Sequence, residues 1–157
     1  MMEKIFYIHN INETERLASL LAERLSPGDT VLLSGDLGAG KTTFTQFLGK
    51  SFGVSRHMTS PTFNIIKSYN SPIKNCQIHH MDCYRLEGSD EDLGFDEYFD
   101  GSSIVIVEWP KFINEFLPKD NIDIVIEHVD DTSRKFTFNA TSGYIHLVEE
   151  IYEKFTN

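Results

Sequence analysis

The run Gly35-Asp36-Leu37-Gly38-Ala39-Gly40-Lys41-Thr42 constrains this chain more than any other feature. It satisfies the pattern G-x-x-x-x-G-K-[ST] at every position. Glycines let the backbone curl until several N–H groups converge on one point, which makes a concave anion site. Val31-Leu32-Leu33 reads as a short apolar strand just before the run. Thr43, Phe44, Phe47 and Leu48 recur after it at helical spacing, with Gly53 placed to end the helix. Strand, glycine loop and helix together are the setting in which this pattern binds phosphate, and a chance match in a glycine-rich turn lacks that setting. Lys41 is placed to reach the β- and γ-phosphates, the Thr42 hydroxyl to ligate magnesium, and the helix to add its positive end. Asp36, Gly38, Ala39, Gly40, Lys41, Thr42 and Thr43 form the candidate nucleotide-binding set, with ATP and Mg2+ as expected cofactors.

The remaining pattern alternates strands and helices. Phe6 and Ile8 mark a short strand, and Asn12 is expected to cap a helix bearing Leu17, Leu20, Leu21 and Leu25. Ser26-Pro27-Gly28-Asp29 stops that helix. Residues Phe63 to Tyr69 and Cys76 to Met81 read as two strands joined through Asn70-Ser71-Pro72 as a hairpin-like excursion. Ile104 to Val107 reads as a buried strand, and Pro110 to Phe116 as a short helix ended by Pro118. Ile122 to Ile126 and Phe136 to Phe138 follow as strands, and Ser142 is expected to cap a final helix. With no repeat or low-complexity segment, residues 1–157 predict one α/β domain of P-loop NTPase type. Its central sheet is expected to be mixed, mostly parallel and flanked by helices.

Magnesium on a triphosphate needs a further hard oxygen, usually a carboxylate at the end of a neighbouring strand. Glu108 directly follows Ile104-Val105-Ile106-Val107, so a buried strand delivers it to the carboxyl edge of the sheet, where open α/β folds bind ligands. Asp82 follows the more polar Ile78-His79-His80-Met81. Either acid can ligate the metal beside Thr42 or orient an attacking water, so Lys41, Asp82 and Glu108 are the candidate catalytic groups. An acid at a strand end can equally be a solvated one. Guanine-selective loops use Asn-Lys-x-Asp, which Pro118-Lys119-Asp120-Asn121 does not supply, and no Asp-x-x-Gly segment occurs. ATP is therefore the default nucleotide. Arg134 and Lys111 are further basic candidates for its contacts, with a solvated surface role as the alternative.

A net charge of −10, from 24 acids against 14 bases, argues against a large nucleic-acid footprint. The longest aliphatic run is far short of the roughly 20 residues that cross a bilayer. The opening Met-Met-Glu-Lys-Ile-Phe runs into polar residues, without the apolar region of a signal peptide, so a cytoplasmic protein is expected. Cys76 and Cys83 lack zinc-site spacing and read as buried or half-buried thiols. His79 and His80 are adjacent, so a strand points them to opposite faces, one packed and one exposed, which disfavours a shared metal. Between Arg85 and Lys111 stand eight acids and no base, ordinarily a solvated face. The interleaved Leu93, Phe95, Tyr98 and Phe99 suggest instead a surface for a partner.

Four segments in order resemble the TsaE family, small bacterial ATPases needed to make threonylcarbamoyladenosine in tRNA. They are Gly35 to Phe44, Ser60-Pro61-Thr62-Phe63, His80 to Leu86, and Val107-Glu108-Trp109-Pro110. The resemblance implies that Thr42 and Glu108 serve magnesium, that Asp82 supports hydrolysis, and that Ser60 to Phe63 is a switch segment. It implies a tryptophan beside the site at Trp109 and a basic nucleotide contact at Arg134. Cys83 departs from the family's usual apolar residue. The implied partners are the TsaD and TsaB proteins, with tRNA reached only through that complex and no membrane. Two rivals differ in class. A small-molecule kinase needs an arginine-rich lid, and the five arginines at 16, 24, 56, 85 and 134 are scattered. A nucleotide-gated binding module would use ATP only to set a conformation.

Overall fold

The protein is described by a computed structural model covering residues 1–36, 38–59, 61, 65–86 and 94–157. Strand β1 (Met2–Ile8) leads into helix α1 (Ile11–Arg24), then β2 (Thr30–Gly35) and α2 (Lys41–Ser51). A hairpin of β3 (Ile66–Ser71) and β4 (Cys76–Asp82) follows, then β5 (Ile104–Glu108), β6 (Ile122–His128), β7 (Arg134–Ala140) and α3 (Ile145–Thr156). Among the described residues these seven strands form one sheet in the order β1-β7-β6-β2-β5-β4-β3. The pairings β6·β2, β2·β5 and β5·β4 are parallel, and the pairings toward both edges are antiparallel. The centre is thus the parallel α/β sheet the pattern predicts, with hairpins finishing each side.

Buried strands on a two-sided sheet read as apolar runs, and β5 is buried along its whole length. The three α-helices cover one face. There Leu17 and Leu21 of α1, Phe44 and Leu48 of α2, and Val148 and Ile151 of α3 pack on Val31, Leu33, Ile104, Ile106 and Ile124. The other face carries Leu32, Met81, Val105 and Val107, closed by short 3-10 turns at Phe95–Phe99 and Pro110–Phe116.

Four expectations change. Helix α1 is capped by Asn10 and not Asn12: the Asn10 side chain accepts from the Glu13 N–H at 2.9 Å, and Glu13 Oε1 accepts from the His9 N–H at 2.6 Å. The His9 backbone N–H, helped by its ring, holds the Glu13 carboxyl below its ordinary range. Ser142 opens a 3-10 turn, Ser142–Tyr144, and α3 begins only at Ile145. His79 and His80 do point to opposite faces, yet both are buried, because β3 and β5 flank β4 and each face is covered. His79 Nδ1 meets Ser68 Oγ at 2.7 Å and its ring meets Tyr98 edge-on, and burial pushes its imidazole below the ordinary value. Finally, Phe95 is fully buried against Phe116, with Tyr98 and Phe99 packed beside it. Phe95 thus belongs to the second core and is not available to a partner, while Tyr98 and Phe99 remain partly exposed at its edge. Leu93 and the acids of residues 87–92 lie outside the described residues, as do Ser60, Thr62 and Phe63 of the expected switch.

Candidate functional site

Strand β2 ends at Gly35, and α2 starts at Lys41 only a few residues later, so the intervening loop must reverse sharply. Gly35 has φ +152°, and a Cβ there would lie 2.4 Å from the Ile126 carbonyl oxygen of β6. Gly38 has φ +82° in open space. Only glycine suits the first position on both counts. Inside the loop the Ala39 N–H donates to the Asp36 carbonyl, and Phe44 N–H to the Gly40 carbonyl begins the helical ladder. The Lys41 side chain is nearly buried. Its Nζ donates to the Gly35 and Asp36 carbonyls at 2.5 and 3.2 Å and lies 5.2 Å from the Trp109 ring centre. The cation therefore sits at the mouth of the loop.

The acids arrive from the sheet. In the parallel register Leu33 pairs with Glu108, and Asp82 pairs with the same residue from the other side. Both carboxylates thus stand side by side at the carboxyl edge, on the α2 face. A cavity of about 230 Å³ is lined by Gly38, Lys41, Thr42, Asp82, Glu108 and Trp109. The structure brings the proposed metal and phosphate groups to this one place. Glu108 is only 3% exposed, and its Oε2 lies 2.6 Å from His80 Nε2. Asp82 is half-buried and its Oδ1 accepts the Tyr84 N–H at 3.2 Å. Thr42 is exposed. Among the described residues no three His, Cys, Asp or Glu side chains cluster as a metal cage. Hydroxyl and carboxylate oxygens at a phosphate loop fit magnesium, which takes one or two protein carboxylates and completes its shell with phosphate and water.

Cys83 directly follows Asp82, and its side chain belongs to the second core. Its N–H donates to the Glu108 carbonyl, and burial, then Asp82 and Glu108, push its thiol up to about 12. It is inert packing. Trp109 follows Glu108 in the left-handed region, at φ 57° and ψ 54°, and forms the far wall with Tyr84 at 4.9 Å between ring centres.

On the other flank of the loop lies a second cavity, about 370 Å³, lined by Asn10, Ile11, Thr14, Thr43, Arg134 and Phe136 among others. Arg134 Nε donates to the Ala39 carbonyl at 3.0 Å, and Nη1 donates to the carbonyls of Asp130 and Ser133. The arginine therefore braces the loop while facing this cavity. Lys111 sits instead over the rings of Trp109 and Phe112. The sequence offered no pointer to the contact between His80 and Glu108, because the two lie 28 residues apart.

Comparison with known proteins agrees with this picture. Residues 8–136 match the model of the family described as "Threonylcarbamoyl adenosine biosynthesis protein TsaE". A tRNA threonylcarbamoyladenosine biosynthesis protein TsaE from Bacillus subtilis (strain 168) is 46% identical over 143 residues, 90% of this chain and 89% of that protein. One of the same name from Rickettsia felis is 38% identical over 145 residues, 90% of this chain and 83% of that protein. The crystal structure of Bacillus subtilis YdiB superimposes with a TM-score of 0.81 at 38% identity, covering 98% of this chain and 96% of that one. Phosphate loop, paired acids and fold thus meet in one assignment: this chain belongs to the TsaE family.

Proposed function

We propose that this chain binds ATP with magnesium at the Gly35–Thr42 loop and hydrolyses it slowly, in support of threonylcarbamoyladenosine formation in tRNA with TsaB and TsaD. The observation that carries the reading is the single cavity in which Lys41 and Thr42 of the loop face Asp82 and Glu108 of the sheet edge. Asp36, Gly38, Ala39, Gly40 and Thr43 form the remainder of the phosphate cradle. Lys41 would hold the β- and γ-phosphates by exchanging its bonds to the loop carbonyls for bonds to phosphate oxygens. Thr42 and Glu108, with Asp82, would hold the metal, which when bound would neutralise charge on the β- and γ-oxygens. Either acid, Asp82 or Glu108, would orient the attacking water if the other alone ligates the metal. Arg134, with Asn10 and Phe136, would shape the pocket for the nucleoside.

Slow turnover is expected from how four of the five arginines are engaged. Arg16 and Arg24 hold the α3 helix, Arg56 lies over Tyr69, and Arg134 is committed to loop carbonyls. None of these four is placed as a finger on the transferred phosphoryl group, nor as a kinase lid, which favours the accessory-ATPase reading. A cytoplasmic setting is consistent with the absence, among the described residues, of a helix able to cross a membrane. The deciding experiment measures ATP binding and hydrolysis with and without magnesium, TsaB, TsaD and tRNA. Magnesium-dependent binding, slow hydrolysis alone and faster hydrolysis in the complex are expected. Phosphate transfer to a small acceptor, or tRNA modification that survives Glu108→Gln without hydrolysis, would overturn it.

A further inference from the structure

His80 is a buried polar side chain beside the site for which the phosphate-loop chemistry supplies no role. It is 1% exposed and reaches Glu108 Oε2 at 2.6 Å through Nε2. Its other nitrogen, Nδ1, is buried with no hydrogen-bond partner. A carboxylate only accepts, so Nε2 carries the proton in this contact and Nδ1 is left as an unpaired acceptor when the ring is neutral. An apolar side chain would fill the same place without burying that lone pair, so packing alone does not explain a histidine here. The parallel register does. Asp82 pairs with Glu108, so His80, two residues earlier in β4, lies on the same face one step behind the carboxylate. From there Nε2 fixes Oε2 and leaves Oε1 as the oxygen that His80 does not hold.

We propose that His80 is the positioning residue of Glu108: its Nε2–H locks the carboxylate in the orientation in which it serves the metal at Thr42. The inference rests on the reading of Glu108 as a magnesium ligand. Partners behind a metal ligand typically change metal affinity about 10- to 100-fold when removed.

The test titrates Mn2+ into the full chain saturated with ADP and follows bound metal by electron paramagnetic resonance. ADP affinity in EDTA serves as the control for folding and loop integrity. His80→Leu is expected to weaken Mn2+ binding on the order of tenfold while leaving metal-free ADP affinity unchanged. His80→Gln carries an N–H near the Nε2 position and is expected to bind Mn2+ close to wild type. His80→Asn carries one only near the Nδ1 position and should behave like leucine. On a Glu108→Gln background, His80→Leu should cause no further loss. If His80→Leu does not fold, the glutamine and asparagine variants decide alone. Equal Mn2+ affinity for both, or an undiminished effect of His80→Leu without the Glu108 carboxylate, would overturn the positioning role. Wild-type Mn2+ affinity in Glu108→Gln alone would instead remove the metal-ligand reading, and the inference with it.

Discussion

Gly35→Ala tests whether the phosphate loop is shaped by contact with β6. The added methyl would lie 2.4 Å from the Ile126 carbonyl oxygen and 3.3 Å from its carbon, in backbone with φ +152°. Carbon–oxygen contacts settle near ~3.3 Å, so the loop or β6 must yield about 0.9 Å. Forcing backbone apart in this way costs roughly 1–3 kcal/mol, and the positive φ adds about 1 kcal/mol. The sum is roughly 2–4 kcal/mol, or about 4–16 °C in Tm at this chain length. Gly38→Ala is the matched comparison. It has φ +82° but no atom within 4 Å of its Cβ, so it should lose only about 1 kcal/mol, or about 2–4 °C.

Both variants would be melted by circular dichroism in EDTA without nucleotide, since bound ligand shifts Tm by mass action. Lys41 Nζ is anchored on the Gly35 carbonyl, so displacing that carbonyl should also weaken nucleotide binding, on the order of tenfold. A Gly35→Ala protein that melts with wild type, or with Gly38→Ala, would refute the steric account.

Three further outcomes are expected. Phe95→Ala should cost about 3–5 kcal/mol because the ring is fully buried; a loss below about 1 kcal/mol in a denaturant melt would return Phe95 to the surface. Asp123 lies on β6 with Oδ1 buried and unpartnered, and burial raises its carboxyl above the ordinary 3.8. Protonated, it suits the fold; charged, it opposes it, so its contribution is intact below 3.8 and is lost as pH climbs through the raised value. Asp123→Asn should therefore gain roughly 1 kcal/mol at neutral pH and lose that advantage in acid, and a pH-independent gain in urea melts would count against this cause. Trp109 is the sole tryptophan and walls the cavity over Lys41, so its fluorescence should change on adding Mg–ATP and stay constant in Lys41→Met; a response in both would place the signal elsewhere.

Legibility followed the range of the forces involved. Gly35 to Thr42 could be read because a loop demanding positive φ, an apolar strand before it and an amphipathic helix after it are all local. Glu108 could be read because four apolar residues deliver it to an edge. The cap of α1 was misplaced because Asn10-Ile11-Asn12 offers two equivalent side chains, and only the reach of Glu13 back to the His9 N–H selects the first. Phe95, lying among acids, looks like surface until the distant Phe116 is folded over it. His80 was read as half of a histidine pair and as the start of a family-like segment, but not as a partner of Glu108. The register of β4 on β5 would have revealed it, because pairing Asp82 with Glu108 puts His80 behind the carboxylate.

The two halves of the site differ in how they are held, and this bears on its chemistry. Lys41 and Thr42 belong to the first turn of α2, whose position depends on a loop that Arg134 braces through the Ala39 carbonyl. Glu108 and Asp82 belong to strands locked by the register of β2, β5 and β4. The join is Trp109, whose N–H extends the ladder to Leu33 at 3.3 Å before the chain turns in left-handed backbone. Such a conformation costs a bulky residue on the order of 1–3 kcal/mol, and it persists only where the surroundings over-determine it. Here the rings of Tyr84 and Phe112 and the ammonium groups of Lys41 and Lys111 surround the indole. Because one of those cations is Lys41 of the loop, a ligand that drew Lys41 away would also loosen the wall beside Glu108.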